Sequence, residues 1–203
     1  MRSTHRIGLF LLCGCLYAQA PLAPLTSDLR VKVWAMQSFW SPGVFFSAVV
    51  PGVTGQLANE PREWGQGTAG FMRRASSSFG RNVLQQSYKA GIAAALGYEV
   101  RYLPARRRRF GARVANALTS DIVTRNAGGR LVPNIGALGG TIASEYTANL
   151  WLPDRYRSAS RTMGRAGLVI AFESGLRIFQ EFSPELKRLN PFRRRNSADV
   201  NFR

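Results

Sequence analysis

The chain is poor in the residues from which the commonest catalytic and metal-binding sites are built. Its 203 residues hold two cysteines, one histidine and 11 acidic residues against 28 basic ones. Cys13, Cys15 and His5 all lie within the first 20 residues. Residues 1–20 read as a signal peptide: Arg2 and Arg6 precede a short apolar stretch from Ile7, and Ala18-Gln19-Ala20 supplies small residues for cleavage. The alternative is a lipoprotein signal over residues 1–14, ending in the lipobox-like Leu12-Cys13-Gly14-Cys15 with Cys15 lipidated; Pro21 just after Ala20 is what keeps it open. Cleavage after Ala20 leaves a chain with no thiol and no imidazole. Disulfides, a Cys nucleophile, a His base and a Cys/His zinc site are then excluded, and neither a metal nor a cofactor is expected.

Lysine is scarce as well. Only Lys32, Lys89 and Lys187 occur, so 25 of the 28 basic residues are arginine and the net charge is +17. Without Arg2 and Arg6, 26 basic residues stand against 11 acidic ones, or +15. Arginine suits bidentate contact with phosphate or carboxylate, although a GC-rich coding sequence enriches it too. Long apolar runs are missing. Residues 33–59 carry no charge, but Pro42, Pro51 and Gln56 dilute them, and they predict a buried or interfacial helix rather than a membrane span.

The periodicity that is present is helical. Residues 60–97 place Trp64, Phe71, Ala75, Phe79, Val83, Tyr88, Ile92 and Leu96 on one side. Arg73, Ser77, Arg81, Gln85 and Lys89 fall on the other, predicting an amphipathic helix from Pro61 with a basic, outward back and a possible break near Ser76. Residues 21–40 form a Pro-rich linker and a short helix. Ser41 and Pro42 open the next one, and residues 41–190 make up the helical domain. Gly97 and Ala127-Gly128-Gly129 mark turns. Gly136, Gly140 and Ser144, at four-residue steps, predict a close helix–helix contact, within the bundle or with a partner protein. Residues 166–172 are apolar all round and predict burial on every side, and Glu173 and Arg177 are spaced for an ion pair. Ser183-Pro184 reads as a helix restart. Residues 191–203 read as a basic, disordered tail. The fold expected is an all-α bundle of five or six helices.

Few residues suggest chemistry. Glu60 and Glu63 stand near Trp64, and a carboxylate pair beside an aromatic ring is the minimum for glycoside hydrolysis. Acidic residues in a first helical turn serve the dipole equally well. Glu173 in its apolar setting is the second weak catalytic candidate. No phosphate loop or serine–lysine dyad occurs. The clusters Arg106, Arg107, Arg108, Arg109 and Arg193, Arg194, Arg195 are candidates for binding anions or lipid headgroups. Aromatics do not interleave with them, so nucleic acid is not the expected partner.

PREWGQG at 61–67, Arg101-Tyr102, Thr124-Arg125-Asn126, the Gly-Ala-Leu-Gly-Gly run at 136–140 and Trp151-Leu-Pro-Asp resemble a group of exported, mainly helical bacterial envelope proteins. The likeness covers residues 38–190 and implies export and helical architecture, without an activity. Glu99-Val100 departs from the acidic residue and proline of that group. The functional expectation is a non-enzymatic structural or interaction protein, exported to the periplasm or outer membrane and held at an anionic membrane surface. Alternatives are a soluble periplasmic protein binding an anionic polymer, and a carboxylate-based hydrolase.

Overall fold

Hydroxyl caps open the first two helices. In the computed structural model, which describes residues 26–103, 105 and 109–189, Thr26 accepts from the Leu29 N–H and begins α1 (Ser27–Ala35). A π-helical turn, Met36–Trp40, leads to Ser41, whose hydroxyl accepts from the Val44 N–H at 3.3 Å and begins α2 (Pro42–Ala58). Pro61 does not open the long helix. It precedes a short 3₁₀ turn, Arg62–Trp64, and Gly65 and Gly67 follow at φ of +71° and +75°, outside the right-handed helical region. Helix α3 (Gly67–Ala95) then runs unbroken past Ser76 for 29 residues, about 44 Å.

Helix α4 (Phe110–Thr119) precedes a hairpin of β1 (Val123–Arg125) and β2 (Leu131–Pro133), antiparallel with Thr124 opposite Val132. The Ala127-Gly128-Gly129 turn joins the two strands. Helix α5 (Ile135–Ala148) is capped by the Asn134 side chain. After a 3₁₀ turn at Asp154–Tyr156, the Ser158 hydroxyl meets the Arg161 N–H at the start of α6 (Ala159–Leu189). Helix α6 continues through Ser183 and Pro184 without restarting. The bundle is all-α with six helices among the described residues, and the hairpin, two strands of three residues each, interrupts it only locally.

Helix α3 is the hub, with α2 against one side and α5 against another, while α6 packs on α5 and α4. The interior is small-residue and polar. Its buried apolar members are Val44, Leu152 and alanines, whereas Arg74, Gln85, Asp121, Thr141, Glu145, Thr162 and Glu181 are buried with them. Burying a charge is tolerated when it is paired and hydrogen-bonded, as Asp121, Glu145 and Glu181 are, whereas Arg74 is met by three backbone carbonyls and the Gln56 side chain. Asp121 accepts from Arg177 at 2.7 Å and Ser174 at 2.9 Å. Glu181 accepts from Tyr102, the Ala105 N–H and Arg113.

This arrangement departs from the expected orientation of α3. Arg73 is exposed as expected, but Ser77 and Gln85 are buried and Arg81 and Lys89 half-buried, while on the expected inner side Phe71, Val83, Tyr88 and Ile92 are only half-buried and Phe79 and Leu96 exposed. The reason lies in the partners: α5 and α6 present Thr141, Glu145 and Glu173, which only polar side chains satisfy. Residues 166–172 are not buried all round either. Ala166 is inside, but Leu168 and Phe172 face out.

Candidate functional site

The polar face of α3 forms the floor of an open cleft of about 1260 Å³, larger than the roughly 300–1,000 Å³ of most small-ligand sites. Ser78, Arg81, Asn82, Gln85, Lys89 and Ala93 line that floor. From Ser78 to Ala93 the helix rises about 22 Å. One wall comes from α2 through Phe46 and Val50, the other from α6 through Leu168, Phe172, Leu176 and Phe179. Aromatic and aliphatic walls therefore stand over a charged floor.

The floor's ion pairs are unequal. Lys89 Nζ donates to both Glu173 oxygens at 2.6 and 2.8 Å, and Gln85 joins Thr141 to the same carboxylate. That pair is closed and neutral. Glu145, buried on α5, is shared: Arg165 Nε binds it at 2.8 Å, Arg81 Nη1 only at 3.5 Å. Two guanidiniums on one carboxylate leave one positive charge in excess. Arg81 Nη2 is held by Ser78 at 3.0 Å, while Arg81 Nε and Asn82 Nδ2 are buried without a hydrogen-bond partner. Along the whole lining, Arg30, Arg81, Lys89, Arg101, Arg125 and Arg177 outnumber Glu99, Glu145 and Glu173. At the rim, Glu99 is bound by Arg101 at 2.8 and 2.9 Å. Burial pushes the Glu99 carboxyl up, but the Arg101 guanidinium and backbone N–H outweigh it and hold the group below its ordinary value.

The carboxylates singled out for chemistry are tied into structure. Glu60 and Glu63 both grip Arg155, at 2.5 and 3.0 Å, rather than a helix N-terminus. Tyr156 also donates to Glu60, and with Arg155 it lowers that carboxyl's pKa, the opposite of what a general acid needs. Glu173 pairs with Lys89, and Arg177 pairs with Asp121, so the expected Glu173–Arg177 bridge does not form. Gly136, Gly140 and Ser144 make the predicted close contact, with α3 of the same chain. A Cβ on Gly140 would lie 2.8 Å from the Lys89 backbone nitrogen. That face is thus filled from within, not free for a partner protein. Arg109 is exposed at the N-terminus of α4. Arg106, Arg107 and Arg108, the Arg193, Arg194, Arg195 cluster and Cys15 lie outside the described residues.

The sequence reading passed over Asn82, Arg165 and the pairing of Glu145. Among the described residues no group of three His, Cys, Asp or Glu side chains lies close enough to hold a metal ion. No family model, curated protein or solved structure matches the chain.

Proposed function

We propose that the chain is an exported, non-enzymatic interaction protein held at an anionic membrane surface of the bacterial envelope. The observation that supports this best is the orientation of α2. Its small residues, Gly52 and Gly55, face α3, where an added Cβ would meet Phe71 and Arg74 at 2.8 Å. Its large ones, Phe45, Val53 and Leu57, face out, and Trp40 just before it is 82% exposed. Small-in and large-out is the pattern of a helix whose outer surroundings are apolar. No helix among the described residues is long and apolar enough to cross a membrane. Attachment along the surface is the mode that agrees with both facts.

The arginine excess supports the anionic part of the reading, since each basic residue near an anionic bilayer contributes about 1 kcal/mol. Arg109 stands exposed, next in sequence to Arg106–Arg108. The test is fractionation of envelopes followed by high-salt and carbonate washes, with flotation on anionic and uncharged vesicles. Retention in salt and flotation with anionic vesicles is the expected result. Release by salt alone removes apolar attachment and favours periplasmic binding of an anionic polymer. A freely soluble protein that does not float rejects the membrane reading.

A further inference from the structure

The cleft above α3 is apolar along its walls and cationic at one end, and membrane attachment uses neither feature. Phe46 and Val50 on α2 face Leu168, Phe172 and Phe179 on α6 across it. All five are exposed, from 46% at Val50 to 73% at Leu168. Large apolar side chains gathered along one groove gain by being covered. The cationic end lies just past the Ala93 end of the floor, where the Tyr98 N–H donates to the Ala93 carbonyl at 2.8 Å. Arg30 Nη1 donates to the Tyr98 carbonyl at 3.1 Å, and the Glu99 N–H donates to the Arg125 carbonyl at 2.9 Å. Both arginines are thus fixed to the one peptide unit between Tyr98 and Glu99. They line the cleft and are only half-buried, so a ligand in it can reach them. Their charge is not balanced. The lining carboxylates are already matched, Glu99 by Arg101, Glu145 by Arg165 and Glu173 by Lys89. Arg30 and Arg125 have only backbone partners among the described residues, the carbonyls of Tyr98 and Gly129.

We propose that this cleft binds a single anionic phospholipid, its phosphate at Arg30 and Arg125 and its two acyl tails lying along α3 between α2 and α6. A guanidinium offers parallel N–H donors that a phosphate accepts in pairs, so two accessible arginines suit a phosphodiester. Size favours two tails, since about 1260 Å³ exceeds the roughly 300–1,000 Å³ of most small-ligand sites. Length agrees. The hydrocarbon core of a bilayer is about 30 Å thick, so the tails of one leaflet reach about 15 Å, within the floor's rise of about 22 Å. Arg81 and Lys89 stay bound to Glu145 and Glu173 beneath the tails and take no part. Charge disfavours the chain's own flanking sequences as occupants, because they carry Arg2 and Arg6 at one end and Arg193, Arg194 and Arg195 at the other.

The proposal is tested by calorimetric titration of the purified full chain with dihexanoyl-phosphatidylglycerol, dihexanoyl-phosphatidylcholine and glycerol phosphate, the lipids below their aggregation limits. One phosphatidylglycerol per chain is expected, bound about tenfold or more tightly than phosphatidylcholine, with no binding of glycerol phosphate in the same range. Arg30→Gln and Arg125→Gln are each expected to cut that preference about threefold or more and to leave phosphatidylcholine binding unchanged. Either variant carries the head-group test should the other fail to melt cooperatively. Phe172→Ser is expected to weaken both lipids. Equal affinity for the two lipids overturns the phosphate seat, as does a preference that survives the arginine substitutions. Glycerol phosphate binding as tightly as the lipid overturns the role of the apolar walls. Absence of saturable lipid binding at about 1 mM in a cooperatively melting chain overturns the site itself. The site is separable from membrane attachment: Leu57→Ser is expected to lower vesicle binding and leave this titration as it was.

Discussion

Arg74 is the residue on which the α2–α3 corner depends. Its guanidinium donates to the carbonyls of Glu60 at 2.7 Å, Pro61 at 2.9 Å and Gly65 at 2.9 Å, and to the Gln56 side chain at 2.8 Å. It has no carboxylate partner among the described residues. Its charge is met by backbone oxygens of the connection that follows α2. Gly55 and Gly70 leave room for it, since a Cβ on either would lie 2.8 Å from an Arg74 atom. Arg74→Met keeps the volume but strips three carbonyls of their donor. A loss of about 3 kcal/mol or more is expected, measured by denaturant unfolding. Glu99 gives a prediction in pH. Its folded carboxyl titrates below the ordinary 4.5, so its contribution is present above that value and is lost as pH falls through the folded one. The melting temperature is expected to fall as the pH is lowered below that ordinary value, and the fall to be smaller in Glu99→Gln. A variant with the wild-type acid profile would remove Glu99 from the account.

Among the elements, the α3–α5 contact and the outer face of α2 make the sharpest claims. At Gly140 an added Cβ meets the Lys89 nitrogen at 2.8 Å and its Cα at 3.1 Å, so backbone rather than a flexible side chain stands in the way. Gly140→Val is expected to cost about 1–3 kcal/mol, as overpacked interiors do, and to disturb Lys89–Glu173 with it. Thermal unfolding checks the cost. The small-residue spacing of 136, 140 and 144 was legible in sequence because close helix approach depends on side-chain size alone. Which helix fills the groove was not, since that is set by the path of the chain. For α2, Leu57→Ser removes an apolar side chain that is 83% exposed. Folding stability is expected to stay within about 0.5 kcal/mol. Partition onto anionic vesicles is expected to fall about tenfold, as burial of such a side chain is worth about 1.5–3 kcal/mol. Unchanged flotation would take α2 out of the attached surface.

For the molecule as a whole, an interior of alanine, threonine and hydrogen-bonded charges leaves large apolar side chains such as Trp40, Phe45, Leu57 and Leu168 exposed. Membrane attachment is the proposal that covers those on and beside α2. Sequence alone determined that the chain is helical and where several helices begin. Those depend on local chemistry: hydroxyl caps at Ser41, glycines at turns, the recurrence of side chains every three to four residues. It also determined the scarcity of thiol and imidazole and the surplus of arginine. Tertiary structure decided that the polar stripe of α3 from Ser77 to Lys89 turns inward, because such a stripe is buried or solvated according to the partners it meets. Glu145 and Glu173 are those partners, and they lie 64 and 84 residues beyond Arg81 and Lys89 in the chain. No local pattern records that distance. It also decided that Glu60 and Glu63 hold Arg155 and that Arg177 belongs to Asp121.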